Sequence, residues 1–140
     1  MKMKFPKEYI KHGDFVLHSG EHSEIFYDVE EIVTNFIYFR ELLQQIPLSN
    51  HYVGILTGGG LMAIGAHVRN PGSKLSLIKG EKLIGARPIG EWMLIDDVVT
   101  SGKSLENAVR IIGNVPRRIF VAVDRRPENK NPKVSSIFEL

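Results

Sequence analysis

The chain contains no cysteine in 140 residues. Disulfides, thiolate nucleophiles and cysteine-held metals are therefore excluded. No apolar run approaches the roughly 18 residues that a membrane-spanning helix needs. The opening stretch, MKMKFPKEYIKHG, is basic but lacks the apolar segment of a secretory signal, so the expected compartment is the cytoplasm and no membrane partner is expected. Nor is there a strong excess of charge, since 18 Lys and Arg stand against 16 Asp and Glu, for a net +2. The densest basic cluster (Arg117, Arg118, Arg125, Arg126, Lys130 and Lys133) reads as a solvated face, so no nucleic-acid partner is expected. Repeats, low-complexity tracts and linkers are also missing. What remains is enough for one domain with a real core and too little for two. A single domain over 1–140 is expected, with 1–33 a small hood and 34–140 the core.

The apolar residues are arranged in two rhythms. FPKEYIKHG has helical spacing and stops at Gly13; DFVLHSG and EIFYDVEEIV read as short strands around Ser19-Gly20. TNFIYFRELLQQIP reads as an amphipathic helix, capped by Thr34 or Asn35 and ended by Pro47. From position 51 onward strands and helices alternate: HYVGILT, GGLMAIGAHVR, KLSLIKG, a loop EKLIGARPIGE, WMLIDD, SGKSLENAVRIIG and RRIFVAVD. The cores YVGIL, WMLI and IFVAV are continuously apolar, as strands covered on both faces are. The class is α/β, a doubly wound, mainly parallel sheet flanked by helices. In such folds ligands sit at the carboxyl ends of strands. That rule singles out Thr57 to Gly60, Asp96 to Ser104, and Asp124-Arg125.

The stretch LIDDVVTSGKS ends in the last three letters of a nucleotide-binding P-loop, G-x-x-x-x-G-K-[ST]. Counting back from Gly102, position 97 should be glycine, and it is Asp97. A carboxylate there repels the phosphates that such a loop cradles, so a nucleoside-triphosphate site is rejected. Thr100 to Ser104 open a helix, whose N–H groups and dipole favour an anion. The carboxylates of Asp96 and Asp97, one step upstream, suit hydroxyl donors such as those of a ribose. Together they describe a site for a ribose 5-phosphate.

MLIDDVVTSGKSL resembles the signature of the type I phosphoribosyltransferases, and the chain as a whole is most similar to the orotate phosphoribosyltransferase family, in a shortened form. The likeness runs from about Phe15 to Leu140. In GDFVLHSGEHSEIFYD, the residues Phe15, Leu17, Ser19, Gly20, Ser23, Phe26 and Tyr27 match the family's amino-terminal segment, with His18 in place of its lysine. GILTGGGLMA resembles the family's pyrophosphate loop. In IKGEKLIG, Lys79, Lys82 and Gly85 keep the spacing of the mobile catalytic loop, which usually reaches into the neighbouring subunit. Ile78 and Ile84 replace that loop's arginine and histidine, and the loop is cut short. Arg87 is a candidate for the lost charge. FVAVDRRPE places Arg125 where the family recognises the carboxylate and carbonyl of the base.

The resemblance implies transfer of ribose 5-phosphate from phosphoribosyl pyrophosphate (PRPP) to a nucleobase, orotate favoured, with release of pyrophosphate. It implies catalytic work for Lys79, Lys82, Asp96 and Asp97. PRPP would be held by Asp96, Asp97, Val98, Val99, Thr100, Ser101, Gly102, Lys103 and Ser104, and its pyrophosphate by Thr57, Gly58, Gly59, Lys79 and Lys82. The base would be met by His18, Phe26, Tyr27, Thr100 and Arg125. Mg²⁺ is the implied cofactor, bound through the substrate's oxygens rather than by a protein metal site, and a homodimer is the implied assembly. The other reading is a non-catalytic regulatory protein that kept the PRPP or nucleotide site and lost most of the catalytic loop.

Overall fold

The computed structural model describes residues 2–17, 19–127 and 131–140. His18, expected at the base, lies outside the described residues, as does Lys130. In chain order the elements are β1 (Met3–Lys4), a 3₁₀ turn (Lys7–Tyr9), β2 (Ile10–Val16), β3 (His22–Tyr27), α1 (Val29–Ile32), α2 (Phe36–Gln45), β4 (His51–Ile55) and α3 (Gly58–Arg69). They continue with β5 (Lys74–Lys79), β6 (Lys82–Ile84), β7 (Met93–Val99), α4 (Lys103–Ile112), β8 (Arg118–Asp124), β9 (Ser135–Ser136) and β10 (Phe138–Glu139).

A six-stranded sheet in the order β6-β5-β4-β7-β8-β9 forms the centre, parallel throughout except for β6. The strand pleat divides its side chains between two cores. Tyr52, Met93, Ile95, Phe120 and Ala122 pack with Leu42 and Leu43 of α2 and with Met62, Ala63 and Ala66 of α3. Val53, Leu94, Ile119 and Val121 face the other way, against Leu105, Ala108 and Ile112 of α4. Helices thus cover both faces, as the continuous apolar runs require. No helix among the described residues is long and apolar enough to cross a membrane.

β2 and β3 form a separate antiparallel hairpin with an irregularity between His12 and Phe15. β1 pairs not with this hairpin but in parallel with β10, at the other end of the chain. Phe5 makes edge-on contacts with Tyr27 and Phe138, at 5.1 and 4.9 Å between centroids, and these tie hood, first strand and last strand together.

The structure corrects three sequence expectations. FPKEYIKHG is not a helix: after one 3₁₀ turn Ile10 enters β2 opposite Tyr27, and Phe5 and Tyr9 are drawn to separate aromatic partners, Tyr27 with Phe138 and Tyr38 respectively. EIFYDVEEIV is not one strand, because Asp28 accepts the Glu31 N–H and starts α1. EKLIGARPIGE is not all loop, since Lys82–Ile84 folds back on β5 across Gly80-Glu81. As expected, α2 starts at a cap, and the capping residue is Asn35, which accepts the Tyr38 N–H.

Candidate functional site

β7 is the strand on which the site is built. It runs through the aspartates to Val99, two residues beyond the segment WMLIDD expected to form it. Alternation sends Asp97 to the α3 side with Ile95, and Asp96 to the α4 side with Leu94. Asp97 meets the start of α3 so closely that a Cβ placed on Gly58 would lie 2.2 Å from Asp97 Oδ2. A Cβ on Gly59 would lie 2.5 Å from the Ile95 carbonyl oxygen and 2.7 Å from Asp96 Cα. The glycines after β4 are therefore needed for close packing as well as for any anion.

Asp96 is 5% exposed. Its Oδ1 accepts the Asp97 N–H at 2.8 Å, and Asp97 Oδ1 accepts the Val98 N–H at 2.7 Å. Burial first, and then the neighbouring Asp97 carboxylate, push the Asp96 carboxyl well above the usual carboxylate range. The chain leaves β7 through Thr100 and Ser101 and enters α4 at Gly102, whose φ of 89° is in the left-handed region open to glycine. Helix geometry leaves the first-turn N–H groups of α4 without partners inside the helix, and the first of them, that of Lys103, donates to Ser101 Oγ at 3.3 Å.

Beyond β7 is a cavity of about 300 Å³ at the carboxyl end of the sheet. The entire stretch 96–104 lines it, together with Thr57, Phe26, Tyr27 and Arg125. Gly58 and Gly59 lie behind Asp97 and Asp96 rather than on its wall. Lys79 and Lys82 do not line it. They are exposed and sit directly opposite one another in the β5–β6 hairpin. The hairpin lies on the same rim, two strand spacings from β7, or about 10 Å. Asp28 and Glu30 also line the cavity and were not expected; the acidic run after Tyr27 was the only available signal.

The β5–β6 hairpin is fastened to α4. Arg110 pairs with Glu81, and Asn107 Nδ2 donates to the Gly80 carbonyl at 3.1 Å. Arg87 turns away from the cavity and donates to the last carbonyls of α4, those of Ile111 and Ile112. A cation at a helix carboxyl terminus stabilises it, so Arg87 does not replace the charge that the shortened loop has lost. An Arg87→Ala variant is expected to lose about 1 kcal/mol, or roughly 3 °C in Tm, with ligand affinity unchanged. Calorimetric unfolding beside a binding titration checks both.

Just past β8 two adjacent arginines separate. Arg126 forms the forked ion pair with Asp124, through Nε and Nη2 at 2.9 and 3.1 Å. Burial raises the Asp124 carboxyl, but hydrogen bonds and charge from Arg126 outweigh it and hold it below its ordinary value. Arg125 reaches the hood instead. Its Nη2 donates to Ser23 Oγ at 3.1 Å, its Nη1 to the Ile25 carbonyl at 3.3 Å, and its guanidinium lies 5.3 Å from the Tyr27 ring centroid.

A larger depression, about 490 Å³, lies at the amino ends of the strands. Its polar groups are mostly spent on one another: Arg117 on Glu91, Asn70 on Ser49 and Tyr52, and Ser73 on His67. It offers no convergent set of free donors comparable with the cavity at the carboxyl end.

No family model matches the chain. It is 29% identical over 129 residues to an orotate phosphoribosyltransferase of Thermoplasma volcanium, covering 83% of this chain and 78% of that one. It is 27% identical over 154 residues to that of Methanococcus maripaludis, with 94% and 81% covered. The crystal structure of orotate phosphoribosyltransferase from Aeropyrum pernix matches it with a TM-score of 0.69 at 27% identity, over 84% of this chain and 77% of that one. The chain has the type I phosphoribosyltransferase fold and resembles orotate phosphoribosyltransferases over most of its length.

Proposed function

We propose that this chain transfers ribose 5-phosphate from PRPP to orotate and releases pyrophosphate. The observation that carries the reading is the placement of Asp96 and Asp97 at the end of a central strand, beside a helix amino terminus and in one cavity with Tyr27 and Arg125. The relatives named above bear the same activity in their names.

In this reading the Asp96 and Asp97 carboxylates accept hydrogen bonds from the ribose hydroxyls, and the turn 100–104 holds the 5-phosphate. Thr57, on the cavity wall, faces the pyrophosphate, with Gly58 and Gly59 packed behind the aspartates. Phe26, Tyr27, Thr100 and Arg125 meet the base, the arginine through its planar fork. A ring nitrogen of the base bonds to C1′ as the C1′–O bond breaks, pyrophosphate departs with the electron pair, and the nitrogen's proton passes to the departing pyrophosphate or to water. The protein's share is mainly positioning and N–H groups aimed at the departing charge. No group of three His, Cys, Asp or Glu side chains suited to a metal occurs among the described residues. Mg²⁺ keeps most of its waters and takes substrate oxygens, and it would neutralise pyrophosphate charge when bound. We place the protein in the cytoplasm as a homodimer, where Lys79 and Lys82, outside their own chain's cavity, are available to a partner's substrate.

The fastened hairpin favours one other reading, a PRPP-binding regulator without turnover. Pyrophosphate release with PRPP, Mg²⁺ and a panel of bases separates the two. Turnover with orotate is expected; PRPP binding with no turnover for any base would establish the regulator instead.

A further inference from the structure

Ser23 sits on β3, outside the cavity wall, yet its hydroxyl is fully engaged. It donates to the Ile25 carbonyl at 2.8 Å and accepts from the Ile25 N–H at 3.2 Å and from Arg125 Nη2 at 3.1 Å. A hydroxyl has one proton and two lone pairs, so this set uses all of them and fixes the oxygen. The same guanidinium is held along its face by Tyr27, and Tyr27 in turn packs edge-on to Phe5. Two of the N–H groups of Arg125 are spent on the hood, and the others remain for a ligand. A planar fork recognises a carboxylate only in the right orientation, and in this chain a serine 102 residues earlier in sequence provides that orientation.

We propose that Ser23 is a positioning residue for base recognition: its hydroxyl and the Tyr27 ring together fix the Arg125 fork, so that Ser23 governs affinity for a planar, carboxylate-bearing base that it does not touch. This rests on the reading of Arg125 as base-facing. Ser23→Ala leaves Nη2 without its partner and the fork held only by the Ile25 carbonyl and the Tyr27 ring, whereas Ser23→Thr keeps the oxygen.

The test measures orotate and PRPP binding by calorimetry, with steady-state kinetics alongside, for wild type, Ser23→Ala and Ser23→Thr. In Ser23→Ala, orotate affinity should fall, and its KM rise, about tenfold, in line with loss of a hydrogen bond to a charged group. PRPP affinity should stay within twofold, kcat should be little changed, and Ser23→Thr should restore orotate binding. Unchanged orotate affinity in Ser23→Ala overturns the proposal, as does a parallel loss for both ligands, which would mark a general displacement of the hood. Should Ser23→Ala fail to fold, Ser23→Thr and Ser23→Gly decide the matter by the same ratio of orotate to PRPP affinity. Orotate binding without pyrophosphate release in the wild type would defeat the enzyme reading and leave the Ser23 comparison intact.

Discussion

Gly59→Ala and Gly58→Ala should both destabilise the protein, and Gly58→Ala should also weaken the ligand through Asp97. The difference lies in what each new methyl group meets. At Gly59 it meets main chain, the Ile95 carbonyl at 2.5 Å and Asp96 Cα at 2.7 Å. Neither atom can move without parting α3 from β7, so the cost is that of overpacking a rigid contact, about 3 kcal/mol, or roughly 10 °C in Tm. At Gly58 it meets the Asp97 side chain, with Oδ2 at 2.2 Å. The carboxylate can swing away, but Asp97 Cβ, at 2.7 Å, is set by the main chain, so β7 must shift as well, and both movements withdraw a carboxylate from the cavity. PRPP affinity should fall at least about tenfold, since a charge-assisted hydrogen bond is worth more than a neutral one. Thermal unfolding should therefore show a loss of stability in both variants, and PRPP titration on the folded Gly58→Ala protein reads the displacement of Asp97. If Gly58→Ala binds PRPP as tightly as the wild type, Asp97 has no part in holding the ribose.

This contrast also marks what could be read from the sequence. Continuous apolar runs ending in glycine or aspartate were enough for the parallel sheet, since only strands buried on both faces look that way. The aspartate pair and the turn after it were legible because the chemistry is local, carried within nine residues at 96–104. Contacts that join distant segments were not. Nothing in RRPE says which arginine turns inward; the tertiary setting hands Asp124 to Arg126 and Ser23 to Arg125. Arg87 looked like a spare cation near a catalytic loop until α4 came within reach of it. The hairpin at Lys82–Ile84 was too short for alternation to show, and the helix expected over FPKEYIKHG was a coincidence of spacing between residues bound for different aromatic partners.

Asp96→Asn should make the free protein more stable and the bound complex weaker. Asp96 is buried beside a second carboxylate, and both burial and that neighbour raise its pKa. The folded state therefore holds a proton on Asp96 at pH values where the unfolded chain has released it. Such a group contributes its stability below the unfolded pKa, about 3.9, and loses it as pH climbs through the raised folded value. Asparagine never ionises, so it escapes that loss, and its Oδ1 can still accept the Asp97 N–H as the aspartate does. Above the window the variant should gain about 1 kcal/mol or more, roughly 3 °C in Tm, and the gain should shrink toward pH 4. Ribose hydroxyls reverse the preference, because as donors they favour an ionised acceptor. At pH values between the unfolded and the raised folded pKa, PRPP binding to the wild type should therefore release a proton, visible as a dependence of binding heat on the buffer's ionisation enthalpy, and Asp96→Asn should abolish that release and weaken PRPP at least about tenfold. A variant no more stable than wild type at neutral pH, or one that binds PRPP equally well, contradicts the argument. The two signs share one cause: an acceptor built for a polyhydroxylated ligand is a buried, crowded carboxyl group until that ligand arrives.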